Sequence, residues 1–158
     1  MKLLVISDIH GDSYALEKVL EREKNNDAII FLGDGMEQIE DLQAVRPDLK
    51  IYSACGNCDR GYYAPSEGLA AFGGLLIFYT HGHGYEVKFS IAPLKRAARL
   101  RGADIVLFGH THSPYYEYSD GLYLFNPGSL GRARIGRPTY GVITIQEKIP
   151  RFETKEVY

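Results

Sequence analysis

This sequence has few cysteines, no long apolar run and no large excess of charge of either sign. Only Cys55 and Cys58 occur among its 158 residues, too few for a disulfide framework. The first apolar run, from Leu3 to Ile6, is far shorter than the ~7 to 15 residues of a signal-peptide core or the ~20 of a membrane span. We therefore expect a cytoplasmic protein with reduced thiols and no membrane attachment.

The charge balance argues against a protein that coats nucleic acid. The net charge is -2 and the pI is about 6.2. Residues 1–87 hold 7 Lys and Arg against 14 Asp and Glu, whereas residues 88–158 hold 11 against 6. The second half can therefore attract an anion locally. The motifs G-x-S-x-G, G-x-x-x-x-G-K-[ST], H-E-x-x-H and G-x-G-x-x-G are absent.

Short apolar runs predict buried strands, and helical spacing predicts three helices between them. The strands are expected at Leu3–Ile6, Ala28–Leu32, Ile51–Ala54, Leu75–Tyr79 and Ile105–Phe108. The helices are expected from Asp12, as the cap, to Lys24, from Met36 to Val45, and from Ala92 to Arg101. This alternation favours a mostly parallel sheet in the first part of the chain.

Later in the chain, hairpins replace the alternation. Ser66–Thr80 and Tyr115–Asn126 predict hairpins, and Thr139–Gln146 and Arg151–Val157 predict two further antiparallel strands. An α/β sandwich of two mixed β-sheets flanked by helices, in four layers, accounts for both patterns. The length suits one domain over residues 1–158.

The five histidines lie in three short loops, each following a predicted strand. Two further strands are followed by Gly-Asp and Gly-Asn loops. The five loops are Asp8-Ile9-His10, Gly33-Asp34, Gly56-Asn57-Cys58-Asp59, His81-Gly82-His83 and Gly109-His110-Thr111-His112. Because ligands of α/β sheets gather at the carboxyl ends of strands, we expect these loops to converge.

Asp and neutral His are donors that suit Mn²⁺, Fe, Zn²⁺ or Ni²⁺, and a carboxylate can bridge two ions. Two dications bring +4, whereas Asp8 and Asp34 return only -2. The resulting positive site favours a phosphate ester, and it would lower the pKa of a bound water to about 7.

The ordered series D-x-H, G-D, G-N-x-D, H-G-H and G-H-x-H, followed by Asn126-Pro127-Gly128-Ser129, resembles the calcineurin-like metallophosphoesterases. Within them it is similar to the small bacterial and archaeal phosphodiesterase branch, and the resemblance covers essentially the whole chain. It implies a metal-dependent phosphodiesterase with a binuclear centre. Manganese is the first expectation, with Fe, Zn or Ni as alternatives, and a metal-bridging hydroxide would attack phosphorus in line.

The resemblance also implies individual roles. Asp8, His10 and His112 would hold one ion, Asn57, His81 and His110 the other, and Asp34 would bridge them. We predict Asn57, Asp59 and His83 as catalytic residues, and Asn57, Arg132 and Arg134 as substrate-binding residues. His83 is equally suited to supporting a ligand or facing the phosphate, and the Arg132, Arg134 and Arg137 side chains are either a phosphate clamp or solvated surface.

Cys58 departs from many relatives, which carry His at that position. A thiol with a pKa near 8.5 is a poorer proton donor than an imidazole near 6.5. We therefore predict a preference for good leaving groups, or protonation through water or His83. Cys55 and Cys58 also form C-x-x-C, a cue for redox or zinc chemistry, but that redox motif normally opens a helix and this segment predicts a loop.

Three functions stay open at this point. The first is a cytoplasmic phosphodiesterase acting on a small phosphodiester. The second is a non-catalytic protein-interaction module, similar to the retromer subunit of the same fold. The third, a nuclease acting on DNA ends, is disfavoured because no basic stripe is present. The 12 tyrosines suit strands, a stacking surface or a subunit contact, and a homodimer or higher homo-oligomer is expected from the resemblance.

Overall fold

Ten strands and three α-helices make up the framework of the computed structural model, which describes residues 1–158. In chain order they are β1 (Lys2–Ile6), α1 (Ser13–Arg22), β2 (Ala28–Phe31), α2 (Met36–Val45), β3 (Ile51–Ser53), β4 (Glu67–Phe72), β5 (Leu75–Thr80), α3 (Ala92–Leu100), β6 (Ile105–Leu107), β7 (Pro114–Ser119), β8 (Leu122–Pro127), β9 (Thr139–Gln146) and β10 (Ile149–Glu156). A short 3₁₀-helix spans His83–Tyr85. None of the helices is both long and apolar enough to span a bilayer.

The strands form two mixed sheets of five. The first sheet has the order β10-β9-β1-β2-β3, with β1, β2 and β3 parallel and β9 and β10 antiparallel. The second has the order β4-β5-β6-β8-β7, with β5, β6 and β8 parallel. The predicted sandwich of two mixed sheets flanked by helices is confirmed.

Alternation along the strands divides the core into three apolar layers. In β1, Leu3 and Val5 face the second sheet, whereas Leu4 and Ile6 face α1 and α2. In β5, Ile77 belongs to the layer between the sheets, whereas Phe78 packs with α3. Each sheet is thus covered on both faces over its parallel strands, which explains why these strands read as continuous apolar runs.

The predicted helices form close to their expected bounds. The Asp12 carboxylate accepts a hydrogen bond from the Ala15 backbone N–H at 2.9 Å, as its capping role requires. Helix α1 ends at Arg22, two residues before the expected Lys24, while α2 has the expected bounds.

The last strand differs from its expected start. Strand β10 begins at Ile149, two residues before the predicted Arg151, because Glu147 and Lys148 make a tight two-residue turn with φ of 51° and 63°. Hairpin turns of this kind normally use Asn or Gly, which tolerate positive φ. Glutamate and lysine carry no such signal, and the long register of β9 against β10 holds the turn in place.

Candidate metal centre

The five predicted loops meet at the carboxyl ends of the parallel strands of both sheets. Five of the nine non-glycine residues with left-handed φ are predicted metal ligands: Asp8 (55°), His10 (48°), Asp34 (61°), His110 (67°) and His112 (58°). Residues other than Gly rarely adopt this backbone conformation. Such strain persists only where the surrounding structure imposes it. The clustering of strain therefore marks this end of the sandwich as a functional site.

One group of donors forms around Asp8, whose side chain is fully buried. The Nε2 atoms of His10 and His112 lie 3.1 Å apart, and Asp8 Oδ1 lies 3.1 Å from His112 Nε2 and 3.7 Å from His10 Nε2. Asp8 Oδ2 accepts hydrogen bonds from the Ser7 hydroxyl and the His110 backbone N–H. Asp8 Oδ1 has no hydrogen-bond partner, so a buried anionic oxygen points into this group of donors without a proton to accept.

A second group forms around His81, whose side chain is also fully buried. Its Nδ1 lies 2.6 Å from the Leu32 carbonyl oxygen, so that nitrogen donates and Nε2 keeps its lone pair. Three donors surround His81 Nε2: Asn57 Oδ1 at 3.1 Å, His110 Nδ1 at 3.2 Å and Asp34 Oδ2 at 3.5 Å. Asp34 Oδ2 also lies 3.8 Å from His10 Nε2, so its carboxylate stands between the two groups.

The spacing and chemistry of these donors fit divalent cations. Donors about 2.1 Å from a common ion lie roughly 3.0 to 3.4 Å from each other, which matches the shortest separations here. Two of the donor clusters join predicted ligands alone, with their donor atoms within 4.8 Å of one another: Asp8, His10 and His112; and Asp8, Asp34 and His81. Buried lone pairs that face each other across 3 Å repel unless a proton or a metal cation lies between them.

Burial and neighbouring charges set the protonation of the metal-free site. Burial opposes ionisation of Asp8, but the neighbouring His10 and His112 imidazoles outweigh it and hold the pKa of Asp8 well below its usual range. The adjacent Asp8 carboxylate raises the pKa of His112. Burial, the neighbouring His81 and the positive charge of Lys88 lower the pKa of His110 to about 4. The site therefore keeps a carboxylate and a neutral imidazole ready to bind a cation at neutral pH.

Asp59 organises the loop that carries Asp34. Its carboxylate accepts hydrogen bonds from four backbone N–H groups: Asp34 (2.7 Å), Gly35 (2.8 Å), Met36 (2.9 Å) and Gly56 (2.8 Å). A side chain at Gly56 would clash with the Asp34 carboxylate, so the two loops approach as closely as their backbones allow. Because backbone amides occupy both oxygens of Asp59, this carboxylate fixes the backbone that carries Asp34 and is not itself one of the donors.

The Asn126–Ser129 segment, at the end of a strand of the second sheet, forms hydrogen bonds that hold the donor loops in place. The sequence motif alone does not reveal this role. The Asn126 side-chain amide donates to the Gly109 carbonyl at 3.0 Å and to the Thr111 hydroxyl at 3.1 Å. The Ser129 hydroxyl donates to the Asp8 carbonyl at 2.9 Å. Residues far apart in sequence thus fix the backbone on both sides of the donor cluster.

Cys58 and His83 flank the donors. The Cys58 sulfur lies within 4.8 Å of ligand atoms of His10 and Asp34, and burial and the Asp34 charge raise the pKa of this thiol. Both cysteines are free, and the segment that holds them is a loop, as expected. The His83 ring centre lies 5.4 Å from that of His81, and its buried Nδ1 has no hydrogen-bond partner.

The three arginines of the 132–137 loop differ in their surroundings. Arg137 forms an ion pair with Glu156 at 3.3 Å. Arg132 and Arg134 are exposed and form no ion pair, and the Arg134 backbone N–H donates to the His112 carbonyl at 3.1 Å. The backbone of the loop is therefore anchored beside the donors while two guanidinium groups stay available to an anion.

The model of the calcineurin-like phosphoesterase superfamily domain matches residues 1–148. The chain therefore belongs to the calcineurin-like phosphoesterase superfamily. It is 33% identical over 149 residues to the probable metallophosphoesterase YsnB of Bacillus subtilis, covering 92% of this chain and 85% of the relative. It is 31% identical over 170 residues to the phosphodiesterase YfcE of Escherichia coli, covering 90% and 87% of the two chains.

Two further similarities bear on function. The vacuolar protein sorting-associated protein 29 of Schizosaccharomyces pombe is 34% identical over 166 residues, covering 99% of this chain and 85% of that protein. The crystal structure of a predicted phosphoesterase from Streptococcus pneumoniae superposes with a TM-score of 0.85 at 28% identity, covering 99% and 89% of the two chains. The predicted family is confirmed, and its members include proteins named as phosphodiesterases and one named for protein sorting.

Proposed function

We propose that the chain is a binuclear metal-dependent phosphodiesterase that acts on small phosphodiesters. The observation that carries this proposal is the convergence of seven nitrogen and oxygen donors from five loops, with a buried Asp8 oxygen left without a hydrogen-bond partner. The YfcE name and the family membership support a phosphoester hydrolase. Manganese is the metal we propose, with Fe, Zn or Ni as alternatives.

The two donor groups suggest the ligand sets. Asp8, His10 and His112 would hold one ion. Asn57, His81 and His110 would hold the second. Asp34 would be a ligand to both ions. When bound, such ions lower the pKa of water to about 7 and neutralise charge on a transferring phosphoryl group.

The protein's own groups would orient the phosphate. The exposed Asn57 keeps its side-chain NH₂ near the second donor group, where it can donate to a phosphate oxygen. Arg132 and Arg134 supply unpaired guanidinium groups for the same anion. His83, whose lowered pKa follows mainly from burial, would be neutral at pH 7, and the leaving group would be protonated through water or by His83.

We assign Asp59 a positioning role and not direct catalysis, because four amides occupy its carboxylate. We further propose a cytoplasmic protein of one domain that acts away from membranes and nucleic acid, as a homodimer or higher homo-oligomer. The uneven charge of the chain, positive in its second half, supports a small anionic substrate.

Metal content and turnover test the proposal together. Protein loaded with Mn²⁺ should hold about two ions per chain and hydrolyse bis(p-nitrophenyl) phosphate, whereas the chelated protein should not. Asp34→Asn should lose both ions and lower kcat/KM by more than a hundredfold. Asp41→Asn, an exposed carboxylate on α2, is the matched control. Turnover that is independent of metal, or absent with Mn, Fe, Zn and Ni, would refute the proposal.

A non-catalytic interaction module is the second candidate, favoured by the 34% identity to the protein sorting-associated relative and by exposed Tyr116 and Tyr118 on strand β7. The same assay separates the two candidates. A chain that binds no metal and hydrolyses no diester, yet keeps its fold, would fit the second candidate.

A further inference from the structure

An apolar pocket of about 340 Å³ adjoins the donor cluster. Val87 and Phe108 line it, and both lie close to Gly82, the residue between His81 and His83. Thr111, the residue between His110 and His112, forms part of the wall. Since consecutive Cα atoms are 3.8 Å apart, Thr111 brings the pocket within one residue of the proposed ligands His110 and His112.

Aromatic rings border the opening of this pocket. Tyr115 is held in place, with its ring packed edge-on against Phe108 at 5.9 Å and its hydroxyl bonded to Glu117. Phe89 is 90% exposed, so a large apolar ring lies in water without burial inside the protein. The Phe89 and Ser90 backbone N–H groups both donate to the Glu86 carbonyl, which fixes the turn that presents the ring.

The size and chemistry of the pocket fit one aromatic group. Its volume lies at the lower end of the range of about 300 to 1,000 Å³ for small-molecule sites, too small for a helix or an extended peptide. Hydroxyl groups of Ser90 and Ser113 stand among the apolar side chains and can meet polar atoms of a heterocycle. Lys88, next to Phe89 in the chain, adds a positive charge on the side of the pocket where Phe89 lies.

We propose that this pocket binds an aromatic ester group of the substrate, an aryl ring or a nucleobase, while the phosphate occupies the metal centre. This inference rests on the proposed function, because the phosphate must be held beside the pocket. Phe89 and Tyr115 would cover the ring on its two faces, and stacking with burial would favour aromatic over aliphatic diesters. The substrate class is therefore a phosphodiester with at least one flat, largely apolar group.

Binding of two small phosphonates tests the pocket without turnover. Phenylphosphonate and methylphosphonate carry the same anionic head, so calorimetric titration of the Mn²⁺-loaded protein compares the ring alone. We expect phenylphosphonate to bind roughly tenfold tighter or more. Phe89→Ala should reduce that preference to below about threefold. Tyr118→Ala removes an exposed ring on the opposite face of β7 and should leave the preference unchanged.

Each remaining outcome counts against the proposal. Equal affinities in the unaltered protein would refute the aromatic pocket and leave the phosphodiesterase proposal standing. A phenyl preference that survives both Phe89→Ala and Tyr115→Ala would place the ring elsewhere and also refute it. If neither phosphonate binds, the anion site itself is wrong, and hydrolysis of bis(p-nitrophenyl) phosphate then shows separately whether the proposed activity fails as well.

Discussion

At the residue scale, Cys58 is the least expected member of the site. Its thiol lies near Asp34 and His10, and burial together with the Asp34 charge raises its pKa. A thiol that stays protonated at pH 7 can contact the substrate, but it is a slow acid for an alkoxide leaving group. If the chain is the phosphodiesterase proposed above, the position should affect the choice of leaving group more than the attack on phosphorus.

We predict that Cys58→Ala lowers kcat on bis(p-nitrophenyl) phosphate by less than about tenfold, because a nitrophenolate leaves without protonation. Cys55→Ala, which alters the other free thiol, is the control. A thousandfold loss at Cys58 would instead identify the thiol as an essential acid or ligand. Metal content measured on the same samples separates these two roles.

Glu23 shows how a charged residue can stabilise the fold away from the site. Its carboxylate, only 6% exposed, pairs with Lys2 at 2.7 Å and Lys155 at 2.8 Å, and accepts a hydrogen bond from Tyr140 at 3.1 Å. Burial opposes its ionisation, but these partners prevail and lower its pKa from 4.5 to about 2. One carboxylate thus ties the end of α1 to strands β1, β9 and β10.

We predict that Glu23→Gln lowers the free energy of unfolding by about 2 kcal/mol at pH 7, because it leaves two lysines facing a neutral amide. The folded pKa is depressed, so the carboxylate's contribution is complete above pH 4.5 and disappears as the pH falls toward 2. Urea unfolding at pH 7 and pH 3.5 should show the difference between the two proteins shrinking. Asp48→Asn, in an exposed pair with Arg46, should not shift the urea midpoint.

At the scale of elements, the 3₁₀-helix that begins at His83 is anchored from its other end. The Tyr85 hydroxyl donates to Glu67 on β4, and Arg101, just after α3, donates to Glu67 at 2.5 Å and to the Tyr85 oxygen at 3.3 Å. The Arg101 guanidinium also lies 4.6 Å from the centre of the Phe78 ring. The Tyr85, Glu67 and Arg101 side chains thus connect β4 and the end of α3 to the 3₁₀-helix that begins at His83.

We predict that Tyr85→Phe lowers kcat by about three- to tenfold with KM and metal content unchanged, because the His83 loop loses an anchoring hydrogen bond while the ligands keep theirs. Steady-state kinetics with metal analysis test this expectation. Tyr118→Phe is the matched control. Unaltered kinetics even in Tyr85→Ala would show that the anchor does not position His83.

At the scale of the whole molecule, the donor cluster joins the two sheets. Asp8, Asp34 and Asn57 follow strands of the first sheet, whereas His81 and His110 follow strands of the second. Ions held between them would link the layers of the sandwich at one end. Metal binding should therefore stabilise the entire fold and not only its loops.

We predict that Mn²⁺ at about a hundred times its dissociation constant adds about 2.7 kcal/mol per site, so two occupied sites should raise the melting temperature by roughly 10 to 20 °C over the chelated protein. Below about pH 6 this gain should fall, since protons compete for the histidine ligands and the raised pKa of His112 makes it an early competitor. Thermal melts at pH 7.5 and 5.0, with and without chelator, measure both effects. An equal gain at the two pH values would contradict histidine ligation.

Much of the fold follows from local pattern. The apolar runs become strands within one residue of their expected bounds, and α2 forms over the expected Met36–Val45. The turn at Glu147–Lys148 and the four amides around Asp59 could not be predicted in the same way. Both depend on partners distant in sequence or on a register that only the assembled sheet provides.

The sequence by itself determined which chemical groups are present and in what order the loops carry them, because strand alternation and loop composition are local properties. The tertiary structure alone decided how those groups meet: the 3.1 Å spacing between His10 and His112, the unpartnered oxygen of Asp8 and the pocket beside Phe89. Each of these arises where residues a hundred positions apart, or on separate loops, are held together by the packing of two sheets. Distance and burial of that kind are properties of the folded chain, and local sequence carries no signal for them.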